Sequence, residues 1–251
     1  MATTIALITG ANKGIGLETA RQLGARGMTV LAGARDEARG RQAEQALRGE
    51  GAEARFVPLD VTDATSVREA AGWIDREYGR LDILVNNAGI AVGGGRPSET
   101  DLDALREVYE TNVLGVIAVT NAMLPLLRRA PAARIVNVSS EVGSITATTD
   151  PASPLGQMPA SLAYPSSKSA LNMITAMYAR ELRDTAVKVN AANPGYTATD
   201  LNGHNGFRSV AEGAEASVYL ATLDPDGPSG ILWGHLWTAD GPADAYGPLP
   251  W

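Results

Sequence analysis

Two hydrophobic patterns alternate along this chain. Short, nearly continuous apolar runs occur at 4–9, 29–32, 54–59, 83–86, 134–138, 187–191 and 230–236. Between most of them lie longer stretches whose apolar residues recur every three to four positions, at about 14–26, 36–49, 63–78, 102–128, 162–183 and 210–223. A short all-apolar run is a strand covered on both faces, whereas the longer period marks an amphipathic helix. Their alternation predicts an α/β, doubly wound fold: a seven-stranded, mostly parallel sheet with helices on both faces. No Pro/Gly/Ser-rich linker divides the chain, so 1–251 reads as a single domain. Two irregular stretches, 141–161 and 196–209, interrupt the pattern, and long irregular segments inside a compact domain are usually functional. Both are expected to be substrate loops. The tail, 239–251, holds three prolines and no helical period, and reads as an extended surface segment or interface arm.

Composition narrows the chemistry. Hydrophobic residues make up 45% and charged residues 20%, an ordinary globular balance. With no Cys, a disulfide scaffold, a thiolate nucleophile and a Cys-ligated metal are excluded. Two histidines leave little for a His-rich centre, so no metal is expected. A net charge of −7 argues against a nucleic-acid partner. The N-terminal residues lack a basic targeting region, and no run approaches the ~20 apolar residues of a membrane span. A cytoplasmic location with no membrane partner is therefore expected. Of the 21 basic residues, 18 are Arg and three are Lys: Lys13, Lys168 and Lys188. Where Arg is the default, a Lys is a candidate for work that needs a compact ammonium.

The first strand runs into Thr9-Gly10-Ala11-Asn12-Lys13-Gly14-Ile15-Gly16, and a helix follows. Glycines there allow a tight turn and close approach of backbone N–H groups to a pyrophosphate at a helix N-terminus. The second strand ends before Arg35-Asp36. A 2′-phosphate on the ribose requires cations, and a free 2′-hydroxyl prefers a carboxylate. Asp36 stands about 20 residues beyond Gly16, which fits the acidic rule. It also stands where a helix N-cap belongs. Lys13, within the glycine loop, adds a second cation to Arg35 and shifts the reading to NADP(H). Later in the chain, Tyr164 and Lys168 are four residues apart and share one helix face. A nearby ammonium is expected to lower the phenol pKa.

At these residues the chain resembles the short-chain dehydrogenase/reductase family. Asp60-Val61, Asn86-Asn87-Ala88-Gly89, Asn112, Ser140, Tyr164-Pro165-Ser166-Ser167-Lys168 and Pro194-Gly195-Tyr196-Thr197-Ala198-Thr199 follow the glycine motif in the family's order, over nearly the whole chain. The resemblance implies a single-domain Rossmann-type fold. It implies NADP(H) contacts from Gly10, Asn12, Lys13, Gly14, Ile15, Gly16, Arg35, Asp60, Val61, Asn87, Ala88, Gly89, Pro194, Gly195, Thr197 and Thr199, joined by Tyr164 and Lys168. Asp60 would meet the adenine. Tyr164 would be the general acid/base, Lys168 its ammonium and ribose partner, Ser140 the hydrogen-bond partner of the substrate oxygen, and Asn112 the holder of a relay water. Ser139 competes with Ser140, since alternation lets only one of the pair face the cofactor side; the resemblance favours Ser140.

The 24 positions from Ser140 to Tyr164 exceed what the resemblance implies. Val142, Ile145 and Met158 are expected to wall one side of a substrate pocket and Tyr196 the other, with Gly93-Gly94-Gly95 as a third edge. An uncharged lining favours a small neutral ketone or aldehyde, or the corresponding alcohol. The Asn-Lys pair, Ala34-Arg35-Asp36 and Glu212-Gly213-Ala214-Glu215 look most like the carbonyl reductase branch. The function expected is NADPH-dependent carbonyl reduction. The alternatives are NADP-dependent alcohol oxidation or a non-catalytic NADP(H)-binding sensor. Apolar stretches at 113–127 and 170–178 either offer a face for a homodimer or homotetramer or belong to the core.

Overall fold

Consecutive apolar residues along each strand enter two separate cores. Leu7, Leu84 and Ile135 join one cluster, while their neighbours Ile8, Val85 and Val136 join the other. That is the period-two alternation of a strand buried on both faces. The computed structural model describes residues 3–238 and 241–251. Its strands are β1 (Ile5–Thr9), β2 (Thr29–Ala34), β3 (Ala54–Pro58), β4 (Ile83–Asn86), β5 (Arg134–Val138), β6 (Lys188–Asn193), β7 (Leu232–Thr238) and β8 (Gly241–Leu249). They form one sheet in the order β3-β2-β1-β4-β5-β6-β7-β8. The first seven pair in parallel, and β8 runs antiparallel to β7.

The sheet therefore has eight strands, not the seven expected. Most of the tail, expected as an extended surface segment or interface arm, is β8; 239 and 240 lie outside the described residues. Its prolines hid it from the pattern, yet proline is tolerated on an edge strand, where no ladder bond is lost on the outer side. Tyr246 of β8 pairs in register with His235 and hydrogen-bonds to Glu215 and Arg208, tying the strand to the helix beneath.

The helices are α1 (Gly14–Gly24), α2 (Glu37–Gly49), α3 (Ala64–Tyr78), α4 (Leu102–Tyr109), α5 (Gly115–Leu127), α6 (Ile145–Thr149), α7 (Ala163–Glu181) and α8 (Val210–Ala221). Side-chain caps start several of them. Asp36 accepts from the Arg39 N–H at 2.9 Å, Asp63 from the Thr65 N–H at 2.8 Å, and Ser209 and Glu212 form a reciprocal capping box. The single helix expected at 102–128 is instead α4 and α5 joined by a π turn at Glu110–Leu114. Such turns are rare and cluster at functional sites. The run Leu102–Leu127 is long and apolar enough to cross a membrane by length and composition, although polar residues interrupt it; 50% of its most apolar window is buried inside the fold.

Candidate active site

The strand order reverses between β1 and β4, so the loops after these strands diverge and leave a crevice at the carboxyl edge. A cleft of about 840 Å³ occupies that edge. Every cofactor residue expected from the sequence lines it. Gly10 and Gly14 have φ of +63° and +57°, which L side chains rarely adopt. A Cβ on Gly16 would stand 2.6 Å from the Gly10 carbonyl oxygen, so the helix start fits against the loop only as glycine. Asn87 Nδ2 donates to the carbonyls of Thr9 (2.9 Å) and Gly10 (3.2 Å). Thr9 Oγ1 accepts from the N–H groups of Asn87 and Ala88, both at 2.9 Å. The loop after β4 is thereby stitched to the glycine loop. The last residue of β4, Asn86, turns away and hydrogen-bonds to Thr120 and Asn137 in the core.

At the far end of the cleft, Arg35 is exposed beside Arg39, one turn further on; both line the cleft. Asp36 is committed to capping α2 and lies 3.7 Å from the Arg39 guanidinium. Its carboxylate is therefore a cap, and the cations dominate this corner. Arg39 escaped the sequence reading, although its i, i+4 spacing from Arg35 was the available signal. Lys13 pairs with Asp200 at 2.5 Å, and His204 Nε2 stands 2.8 Å from the same carboxylate. The Lys13 ammonium holds the Asp200 carboxyl below its ordinary value.

Near the middle of the cleft, Tyr164 and Lys168 project from the first turns of α7. Lys168 Nζ donates to the Val138 carbonyl at 2.8 Å and stands 5.4 Å from the Tyr164 ring centroid. Burial pushes the Tyr164 phenol up to about 12, opposed by a hydrogen bond with Ser140. Burial pushes Lys168 down to about 8. The net rise of the phenol comes from burial, which outweighs the hydrogen bond with Ser140. Both groups are desolvated, and Lys168 directs a proton at a carbonyl.

Backbone alternation separates the two serines. Ser139 Oγ donates to Asn172 Oδ1 at 2.6 Å, on the α7 side. Both serines line the cleft, but Ser140 meets the Tyr164 phenol and accepts from the Val142 N–H at 3.4 Å. Asn112 sits in the π turn and is 1% exposed. It does not line the cleft. Its amide accepts from the Ile90 N–H (2.9 Å) and donates to the Ile90 carbonyl (2.9 Å) and Ser167 Oγ (3.1 Å). These contacts fix the Asn112 side chain to the Ile90 backbone and to the first turn of α7. A Cβ on Gly89 would lie 3.3 Å from Asn112 Oδ1 and 3.7 Å from Lys168 Nζ, so this glycine lets both approach the same backbone.

On the substrate side, Val142, Met158 and Tyr196 line the cleft as expected. Ile145 does not: α6 presents it to solvent, 65% exposed. Gly93-Gly94-Gly95 also stand off the wall, and Ile90, Ala91 and Val92 form that edge. Leu155 and Trp237 complete the apolar lining. The lining is not uncharged, because Glu141 belongs to it and is 6% exposed. Burial pushes the Glu141 carboxyl up to about 7, opposed by the Asn193 side chain. Sequence spacing carries no signal for that burial, which arises where the loop folds back onto β6.

The comparisons with known proteins agree with this geometry. The family described as short chain dehydrogenase matches residues 4–207. Carbonyl reductase (NADPH) 3 of Mus musculus is 36% identical over 88% of this chain and 92% of its own. Short-chain dehydrogenase anuI of Penicillium roqueforti is 37% identical over 92% of each chain. Among solved structures, the NADPH-bound carbonyl reductase from chicken fatty liver superposes over 100% of both chains with a TM-score of 0.82 and 30% identity. Salutaridine reductase from Papaver somniferum covers 91% of this chain and 99% of its own, with a TM-score of 0.80 and 28% identity. The glycine loop, the ordered motifs and these matches lead to one conclusion: the chain belongs to the short-chain dehydrogenase family.

Proposed function

We propose that this protein reduces a ketone or aldehyde to an alcohol with NADPH. The observation that carries the reading is the convergence of Tyr164, Ser140 and the buried Lys168 in a cleft that opens from a glycine loop to a cationic corner. NADPH, when bound, supplies the hydride. Lys13, Arg35 and Arg39 fit the additional phosphate of that cofactor, and the glycine loop gives the close backbone approach its pyrophosphate requires. Asp60 and Val61 line the cleft where the adenine belongs, and Pro194, Gly195, Thr197 and Thr199 border its opposite side.

The residues then divide the work. Ser140 and Tyr164 donate hydrogen bonds to the substrate carbonyl oxygen and polarise it. Tyr164 passes its proton to that oxygen as negative charge develops there. Lys168 stabilises the phenolate left behind and holds the cofactor ribose. Asn112 positions the Ile90 backbone and, through Ser167, the first turn of α7. In oxidation the same residues work in reverse, with Tyr164 as the general base. The sensor alternative gives no reason for Ser140, Tyr164 and Lys168 to converge.

Leu114, Met173 and Met177 are exposed apolar residues around α5 and α7, and we assign that face to self-association as a homodimer or homotetramer. We also propose the cytoplasm as its compartment. The test is NADPH consumption with a panel of ketones and aldehydes, with NADH in parallel. Turnover preferring NADPH is expected; NADPH binding without turnover of any carbonyl favours the sensor.

A further inference from the structure

One wall of the cleft carries chemistry that carbonyl reduction does not require. Glu141 follows Ser140 directly in the chain, lines the cleft and is 6% exposed. Its backbone N–H donates to Asn193 Oδ1 at 3.1 Å, and the Asn193 side chain also reaches its carboxyl. Asn193 Nδ2 donates to the His235 carbonyl at 2.8 Å, so a single amide fixes the acidic residue to β6 and β7. Among the described residues, no Lys or Arg lies within the 4.0 Å of an ion pair with Glu141. Tyr164 and Lys168 on α7 line the same cleft, and Lys168 already donates to Val138.

Two aromatic rings line the same cleft, Tyr196 after β6 and Trp237 on β7. Phe207 packs edge-on against both, with ring centroids 5.9 Å from Tyr196 and 5.8 Å from Trp237. Phe207 therefore fixes these rings relative to one another. Aromatic faces attract cations through the ring quadrupole, and a desolvated carboxylate supplies the opposite charge. A carboxylate and aromatic rings lining one cleft are the kinds of group that recognise an alkylammonium.

We propose that this pocket takes a carbonyl substrate bearing an alkylammonium group, with Glu141 as its counter-ion and Tyr196 and Trp237 as its aromatic walls. The inference rests on the reading of the cleft as a carbonyl-reducing site and names its substrate class. The cation gains a buried partner, and Glu141 gains the charge that its burial otherwise lacks.

The test pairs a ketone carrying a trimethylammonium group with its tert-butyl isostere, which has the same shape and no charge. The ratio of their kcat/KM values with NADPH is read for the natural protein and for Glu141→Gln. At pH 8 the natural protein is expected to favour the cation by about tenfold or more, the range of a desolvated charge pair. The ratio should fall towards one in Glu141→Gln, and in the natural protein as the pH drops from 8 to 6. Calorimetric titration of the two corresponding alcohols reads the same ratio as affinities, without turnover. Failure to reduce either ketone overturns the reductase reading, and the titration still decides the cation site. Equal affinity for both alcohols, or a preference that survives Glu141→Gln, overturns the proposal.

Discussion

Replacing Glu141 by Gln is expected to stabilise the protein at pH 8 far more than at pH 5. The carboxyl rises from an ordinary 4.5 to about 7 in the folded chain, because burial penalises its charge. A raised carboxyl pKa means the folded state binds the proton more tightly than the unfolded state. The resulting stability is fully present below about pH 4.5 and is lost as the pH climbs through about 7. With 1.36 kcal/mol per pKa unit, the shift corresponds to about 3 kcal/mol at pH 8 and about 1 kcal/mol at pH 5. Gln keeps the shape and hydrogen-bonding capacity but never ionises, so it escapes the penalty. Little solvent screening is expected, since the residue is 6% exposed. The assay is urea unfolding of both proteins at each pH, comparing midpoints at constant slope. A variant less stable than the natural protein at pH 8, or a difference independent of pH, would show that Glu141 is not a buried, largely unpaired carboxyl.

Three further outcomes follow from the site. Tyr164→Phe removes the proton donor and should lower kcat by about 10²–10⁴, while NADPH binding, read by fluorescence titration, is retained; a small loss of kcat would move the acid elsewhere. Arg35→Asp should raise KM for NADPH far more than KM for NADH in initial-rate assays, and equal effects would remove Arg35 from the phosphate corner. Lys168 is pushed down to about 8 and Tyr164 up to about 12, so kcat/KM for reduction should fall as the pH rises through about 8, with the phenol still protonated. A profile flat across that range would exclude Lys168 as the titrating group.

Much of this architecture was legible in the chain because a few positions tolerate only one kind of residue. Gly10 and Gly14 adopt positive φ, and Gly16 abuts the Gly10 carbonyl, so the cofactor loop announces itself as glycines at fixed spacing. The strands are buried on both faces and read as unbroken apolar runs. What the pattern hid has physical causes. β8 carries Pro242 and Pro248, which argue against a strand anywhere except at an edge. The π turn around Asn112 changes the helical register locally without disturbing the apolar period. Tyr164 and Lys168 lie on one helix face, as their spacing predicts, but the direction of the phenol shift depends on burial, which no spacing records. Ile145 was apolar and nearby, yet α6 turned it outward, while polar Glu141 was folded inward. Loop residues are placed by tertiary packing, and one-dimensional patterns are weakest there.

The central claim is that Tyr164 donates the proton in an NADPH-dependent carbonyl reduction. Its most direct test is single-turnover reduction by the NADPH-loaded protein, measured for the natural chain and for Tyr164→Phe at pH 7 with the same ketone. The account predicts rapid NADPH oxidation coupled to alcohol formation in the natural protein, and NADPH that stays bound and unoxidised in the variant. Alcohol formation at an undiminished rate in Tyr164→Phe would contradict it.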